Sequence, residues 1–136
     1  MSGLLLDASV VLAAFDTGNP QSEAAQAILD TEETTTLATV DLARYEVADV
    51  AIRSWRAPAS VPPLLAALDR ISEDGGLVLS GNTLLRDAAE LAEREGISVY
   101  DASYVVAAAL RGRRLVSCDV RDLVSKGLAV LPEDAG

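Results

Sequence analysis

Acidic side chains follow two of the short apolar runs in this chain, and carboxylates are its residues best suited to chemistry. Asp7 comes directly after the apolar run at 4–6, and Asp119 lies two residues past Ser117, where a second run ends. In parallel α/β folds, ligands bind outside the carboxyl ends of the strands. We therefore expect Asp7 and Asp119 to share a site.

Three further acids are candidates for the same site. Glu46 has Leu42 and Val50 as helical neighbours, which places it beside an apolar stripe. Asp101 leads into 105–110, a segment that is apolar nearly all round, and so points toward the interior edge of the sheet. Asp122 follows Asp119 by three residues.

Each acid also has a purely structural explanation. Asp7 and Asp119 are good N-caps for the segments that follow them. Glu46 fits a solvated helix face, and Asp101 has capping-box spacing from Ser98. The functional interpretation depends on the whole set, because several of these acids fall on the same predicted side of the sheet.

A carboxylate cluster of this kind predicts a divalent metal site. Clustered carboxylates raise one another's pKa, and a bound dication removes that repulsion. Mg²⁺ and Mn²⁺ prefer oxygen ligands. The chain has no histidine and a single cysteine, Cys118, which excludes histidine catalysis and histidine-bound zinc. Such a site suits phosphodiester hydrolysis by metal-activated water, with a free carboxylate orienting the water or acting as general base.

Length and composition predict one domain spanning residues 1–136. Acids outnumber bases by 21 to 11, and the net charge of −10 disfavours binding to the negatively charged backbone of a nucleic acid. A bound metal ion would neutralise part of this negative charge, and the remaining negative charge suits a basic protein partner. A lone cysteine rules out an intramolecular disulfide. With neither a signal peptide nor a membrane span predicted, we expect a cytoplasmic protein.

Short apolar and β-branched runs predict five strands, separated by helices. We place the strands at 4–6, 34–40, 77–79, 115–117 and 128–130. Helices are expected at 8–15, 22–30, 42–56, 64–71, 84–95, 100–110 and 120–126. Uniformly apolar strands alternating with helices indicate an α/β fold, with a buried parallel sheet and helices on both faces.

Four motifs, taken in order, resemble those of PIN domains. They are Leu-Leu-Leu-Asp-Ala-Ser-Val-Val-Leu at 4–12, Glu46 in its helix, Val-Tyr-Asp-Ala-Ser-Tyr at 99–104 before an Ala-rich segment, and Leu-Val-Ser-Cys-Asp-Val-Arg-Asp at 115–122. Ser117 stands where the family more often has threonine. Length and the lack of extra domains are similar to those of VapC-type toxins of bacterial toxin–antitoxin pairs.

This resemblance implies a three-layer α/β/α sandwich whose five-stranded parallel sheet has the order 3-2-1-4-5. It implies a Mg²⁺- or Mn²⁺-dependent endoribonuclease, the toxin of a type II toxin–antitoxin system, acting as a homodimer that a cognate antitoxin blocks. The matching motifs assign the metal-site and catalytic acids as Asp7, Glu46, Asp101 and Asp119. Supporting roles fall to Ser9, Ser117 and Asp122.

Three other classes of protein compete with this interpretation. A haloacid-dehalogenase-type enzyme needs a second aspartate two residues after the first, where this chain has Ser9. A receiver-type signalling domain needs an aspartate after the third strand, where the chain has Ser-Gly-Asn at 80–82. A non-catalytic PIN-like interaction module stays open, because fold does not determine function.

Two surface features are also expected from the sequence. Arg111, Arg113 and Arg114 form the best local cluster of bases, suited either to RNA phosphates or to the C-terminus of a helix. The segment 57–71, which follows a proline-rich break, predicts an apolar helix face that serves either for pairing with another chain or for core packing.

Overall fold

Short strands alternate with helices in the computed structural model, which describes residues 3–31, 36–73 and 75–135. The strands are β1 (Leu4–Leu6), β2 (Leu37–Val40), β3 (Leu77–Val78) and β4 (Arg114–Val116). The helices are α1 (Ala8–Ala14), α2 (Ser22–Leu29), α3 (Leu42–Arg53), α4 (Val61–Ser72), α5 (Asn82–Glu95) and α6 (Val99–Leu110). A π-type turn covers Val120–Val124, and single 3₁₀ turns cover Pro58–Ser60 and Pro132–Asp134.

The four strands form a parallel sheet in the order β3-β2-β1-β4. This order agrees with the sequence prediction for strands one to four. The predicted second strand began at residue 34, and residues 34 and 35 lie outside the described part of the chain. In the central strand β1, Leu4 is opposite Leu37 on one side and Arg114 on the other.

The predicted fifth strand at 128–130 is wrong as a strand, although the segment lies where that strand was expected. Only Val130 pairs, through an isolated parallel bridge to Val116. The Ser117 N–H donates to the Val130 carbonyl at 3.0 Å, and the Val130 N–H donates to the Leu115 carbonyl at 3.0 Å. Pairing ends there because Pro132 has no N–H to donate and begins a 3₁₀ turn.

Both faces of the sheet are covered. Successive residues of a strand point to opposite faces, and Leu5 and Leu6 of β1 are both 0% exposed. Helix α6 packs on β1, β2 and β4, with α5 packed against α6. A second group, α1, α3 and α4, packs together, and α4 also contacts β2. The sheet is therefore buried between helices, as its apolar strands predicted.

Helix termini place two of the candidate acids at the carboxyl edge of the sheet. Asp7 is the N-cap of α1, and its Oδ1 accepts from the Ser9 N–H at 3.0 Å. Ser98 is the N-cap of α6, and its Oγ accepts from the Asp101 N–H at 3.0 Å. Both helices therefore begin beside the ends of the strands, with a carboxylate in or before the first turn.

The two expected surface features both serve the fold. In α4, the side chains of Leu64, Leu68 and Ile71 are buried in the core, so the expectation of a free apolar pairing face is wrong. The arginine cluster flanks the amino end of β4, the edge of the sheet opposite Asp7. Arg111 there donates to the Gly75 carbonyl at 3.3 Å, and Arg114 donates to the Asp134 carbonyl at 3.3 Å.

No helix within residues 3–31, 36–73 and 75–135 is a candidate for a membrane span. None of them combines the length and the apolar character that crossing a lipid bilayer requires.

Truncation of Leu64 should test the core position of α4. We expect Leu64→Ala to lower the free energy of unfolding by about 2–5 kcal/mol, because it leaves a cavity under a side chain that is 0% exposed. Urea unfolding measures this loss. The matched control is Leu110→Ala, at a position that is 64% exposed, with an expected change below about 0.5 kcal/mol. Equal losses in the two variants would contradict the core position of α4.

Candidate metal centre

Asp7 is a buried carboxylate at the end of the central strand. Its residue is only 5% exposed, and its backbone N–H donates to the Val116 carbonyl of β4 at 3.2 Å. The carboxylate oxygen Oδ1 accepts from both the N–H and the hydroxyl of Ser9, at 3.0 Å and 2.5 Å. The side chain is therefore held in one orientation by Ser9, in the first turn of α1.

Two serines connect the ends of β1 and β4. The Ser9 hydroxyl donates to Asp7 and accepts from the Cys118 N–H at 2.8 Å. The Ser117 hydroxyl lies 3.4 Å from the Ser9 hydroxyl and accepts from the Asp119 N–H at 3.0 Å. Ser9 therefore orients the Asp7 carboxylate, and Ser117 both interacts with that carboxylate and positions the backbone that carries Asp119.

Asp119 and Asp122 are brought together by the π-type turn. The carbonyl of Asp119 accepts from the Val124 N–H at 3.0 Å, an i→i+5 bond, and its Oδ1 accepts from the Asp122 N–H at 3.0 Å. One carboxylate oxygen from each of Asp101, Asp119 and Asp122 lies within 4.8 Å of the other two. Such π-type turns are rare and occur often at functional sites.

A small cavity at the carboxyl edge of the sheet joins the acids predicted from the sequence. Its volume is about 160 Å³, and its lining includes Asp7, Glu46, Asp101 and Asp119. Ser9 and Tyr104 also line it. The structure thus brings together four acids that span residues 7 to 119, while Asp122 joins them through the carboxylate cluster. Their assignment as metal ligands stays a prediction.

Burial and mutual repulsion disfavour charge on three of these carboxylates. Burial raises the pKa of Asp7 from 3.8 to about 6, against the lowering effect of hydrogen bonds from Ser117 and Ser9, and nearby Glu46 adds to the rise. The pKa of Glu46 is raised by burial and by Asp101. The pKa of Asp101 is raised by burial and then by Asp119 and Asp122.

Tyr104 belongs to the cavity, although the sequence analysis gave it no role. Its hydroxyl donates to Glu46 Oε1 at 2.5 Å, and the residue is 1% exposed. Burial and the adjacent Glu46 carboxylate raise the phenol pKa, so the hydroxyl keeps its proton and remains a donor. The available signal was its position three residues after Asp101, on the same face of α6.

The residues present fit a hard divalent cation. The cluster offers oxygen ligands alone, and the carboxylate oxygens of Asp101, Asp119 and Asp122 approach one another as ligands of one ion would. Burial, and then neighbouring negative charge, raises the pKa of Asp7, Glu46 and Asp101, and a bound cation would favour their charged forms.

A larger groove adjoins the cavity at Glu46, which lines both. Its volume is about 940 Å³. The groove has exposed apolar side chains from Tyr45, Ile52 and Tyr100. Its lining also includes the acids Asp41 and Asp49 and the base Arg44. Arg44 forms an ion pair with Asp69, with 3.2 Å between Arg44 Nη1 and Asp69 Oδ1.

The fold and site together define a parallel α/β domain with a carboxylate-lined pocket at the carboxyl edge of its sheet. A family model described as the PIN domain matches residues 4–126. Ribonuclease VapC3 from Pyrobaculum aerophilum is 33% identical to this chain over 126 residues. The matched region covers 90% of this chain and 93% of the VapC3 chain. The chain belongs to the PIN-domain family and, within it, is related to the VapC-type proteins.

Solved structures agree with this fold. The crystal structure of PAE2754 from Pyrobaculum aerophilum superposes with a TM-score of 0.70 at 22% identity, covering 97% of this chain and 85% of that one. A toxin–antitoxin complex from Klebsiella pneumoniae gives a TM-score of 0.67 at 15% identity, covering 96% of this chain and 98% of that one. At these identities the likeness concerns the fold alone.

Neutralising Asp7 should stabilise the metal-free protein at neutral pH. The folded pKa of about 6 lies above the ordinary 3.8, so the stability that Asp7 contributes is present below 3.8 and is lost as the pH rises through about 6. A shift of this size corresponds to about 3 kcal/mol at most. In urea unfolding with chelator, we expect the free energy of unfolding of Asp7→Asn to exceed that of the wild type by about 1–3 kcal/mol at pH 7.5. At pH 4.5 the difference should be much smaller.

The control for this measurement is Asp87→Asn on the exposed surface of α5, which should show little dependence on pH relative to the wild type. If Asp7→Asn were less stable than the wild type at pH 7.5 without metal, the hydrogen bonds to the charged carboxylate would outweigh the cost of burying its charge, because asparagine caps a helix as well as aspartate does.

Proposed function

We propose that this chain is a Mg²⁺- or Mn²⁺-dependent endoribonuclease, and the toxin of a type II toxin–antitoxin system. The observation that carries the proposal is the convergence of Asp7, Glu46, Asp101 and Asp119 on one cavity. Similarity to a relative named a ribonuclease supports RNA as the substrate. The family match over residues 4–126 supports a single PIN domain as the functional unit.

In this proposal, each acid has a role that follows from its position. Asp101, Asp119 and Asp122 hold the ion, because their carboxylate oxygens are within 4.8 Å of one another. Asp7 and Glu46 contribute two further carboxylates to the lining of the cavity. A bound divalent ion lowers the pKa of a coordinated water and offsets charge on the phosphate under attack. Whichever carboxylate is not engaged as a ligand orients that water or accepts its proton.

Hydrogen bonds within the chain keep these acids in place for the reaction. Ser9 donates to Asp7 Oδ1 and so orients a carboxylate that lines the cavity. The Ser117 hydroxyl accepts from the Asp119 N–H and thereby holds the loop that carries Asp119 and Asp122. Both serines are therefore supporting residues: they orient carboxylates or the backbone next to them and form no bond with the substrate.

We propose RNA contact through the site itself, because the wider surface is unfavourable to a polyanion. The chain carries a net charge of −10, and the arginine cluster at residues 111–114 lies at the opposite edge of the sheet. A bound dication reduces the negative charge where the phosphate must approach. Affinity for RNA in the absence of metal should consequently be low, and salt should affect it little compared with proteins that bind through many basic contacts.

The proposed partner is a cognate antitoxin with a basic segment, acting on a homodimer of this chain. The groove beside the cavity combines exposed Tyr45, Ile52 and Tyr100 with the acids Asp41 and Asp49, a surface that suits a segment with apolar and basic side chains. One solved structure of similar fold is a toxin–antitoxin complex, which supports this kind of partner. The homodimer follows from family resemblance.

An RNA-cleavage assay with and without chelator tests the proposed activity. The purified protein should cleave single-stranded RNA internally in Mg²⁺ or Mn²⁺ and lose that activity in excess EDTA. Asp101→Asn should lower the rate by at least about 100-fold, since even changes to residues behind the ligands cost about 10–100-fold. Asp87→Asn, the same chemical change on the exposed face of α5, should cleave as the wild type does.

Thermal melting supplies a second measurement on the same variants. Divalent metal at a hundred times its Kd should stabilise the wild type by about 2.7 kcal/mol, because it binds the folded state only. Asp101→Asn should lose most of that shift. If the wild type neither cleaves RNA nor changes its melting temperature with metal, the proposed ribonuclease activity is refuted. That result would favour a non-catalytic interaction module.

A further inference from the structure

The Tyr104 hydroxyl connects the two groups of helices at the edge of the cavity. Tyr104 lies on α6, which packs on β1, β2 and β4, whereas Glu46 lies on α3, which packs with α1 and α4. Their side chains meet through the hydrogen bond from Tyr104 Oη to Glu46 Oε1 at 2.5 Å. The bond joins residues 58 positions apart in the sequence.

Core packing alone does not account for a tyrosine at this position. The residue is 1% exposed and is among the largest fully buried side chains, so its ring fills the core as a phenylalanine ring would. The hydroxyl is a polar group that must have a partner when buried. That partner is a carboxylate facing the cavity, and Tyr104 itself lines the cavity together with Asp101 and Asp7.

Glu46 lacks the local support that Asp7 and Asp119 have. Asp7 is held by Ser9, and Asp119 accepts a hydrogen bond from the backbone of its own turn. Glu46 lies in the middle of α3, one carbon longer than an aspartate, and no cap or turn orients it. The hydrogen bond from Tyr104 engages Oε1 and so selects one direction for the carboxylate.

We propose that Tyr104 is a positioning residue for the metal site, which holds Glu46 so that its second oxygen faces the cavity. This inference rests on the proposed function, because it gives Glu46 a role toward the ion. Tyr104 makes no contact with the substrate. Its effect reaches the reaction only through Glu46, and that dependence is what an experiment can isolate.

The test compares Tyr104→Phe with the wild type and with Asp87→Asn, a change at an exposed residue of α5 that lines neither the cavity nor the groove. Mn²⁺ affinity is measured by titration calorimetry, and kcat and KM are measured on a single-stranded RNA. For Tyr104→Phe we expect roughly a tenfold loss in Mn²⁺ affinity or kcat, the range known for groups that orient metal ligands, with KM for RNA unchanged. Asp87→Asn should match the wild type in Mn²⁺ affinity and kcat.

A double variant separates positioning from packing. If Tyr104 acts through Glu46, adding Tyr104→Phe to Glu46→Gln should change neither the Mn²⁺ affinity nor kcat beyond the single Gln variant. Losses that multiply, or a Tyr104→Phe protein equal to the wild type in both measurements, would overturn the inference. Melting in chelator confirms that each variant is folded.

Calorimetry keeps the two proposals distinguishable. A wild type that binds Mn²⁺ without cleaving RNA would refute the proposed ribonuclease, while the Mn²⁺ affinities of the variants would still decide the role of Tyr104. A wild type that binds no Mn²⁺ would overturn both.

Discussion

Repulsion among carboxylates at one edge of the sheet is the constraint on which the rest of the structure depends. Burial and like charge raise the pKa of Asp7, Glu46 and Asp101, so charging these groups at neutral pH costs free energy. The fold offsets that cost elsewhere, through strands buried on both faces and aliphatic packing of the helices against them. A bound cation would remove the cost at its source.

Capping and participation in the site turn out to be compatible roles for the same acids. Asp7 Oδ1 accepts from the first turn of α1 while the residue lines the cavity. Asp119 accepts from the Asp122 N–H and contributes to the carboxylate cluster. A carboxylate has two oxygens, and a helix N-terminus near a strand end uses one of them. The structural explanation of each acid therefore does not compete with the functional one.

The sequence was informative where local chemistry decides the outcome. Strand ends placed Asp7 and Asp119 correctly, because parallel strands share a carboxyl edge. It was less informative where distant segments meet. Apolar residues at 128–130 indicated a strand, but pairing is limited to Val130 by the proline that follows. The amphipathic pattern of α4 left core packing and pairing with another chain as alternatives, of which the structure shows core packing, and no local pattern links Tyr104 to Glu46 across 58 residues.

The crowded acids also influence how such a protein would drift over evolutionary time. Replacing Asp7, Glu46 or Asp101 by its amide removes a charge that burial disfavours, so a lineage released from selection for cleavage would gain stability from such a change. Decay into a non-enzymatic descendant is then thermodynamically downhill, in contrast to the usual destabilising effect of random substitution. This chain keeps Asp7, Glu46 and Asp101, and with them the cost of charging buried carboxylates.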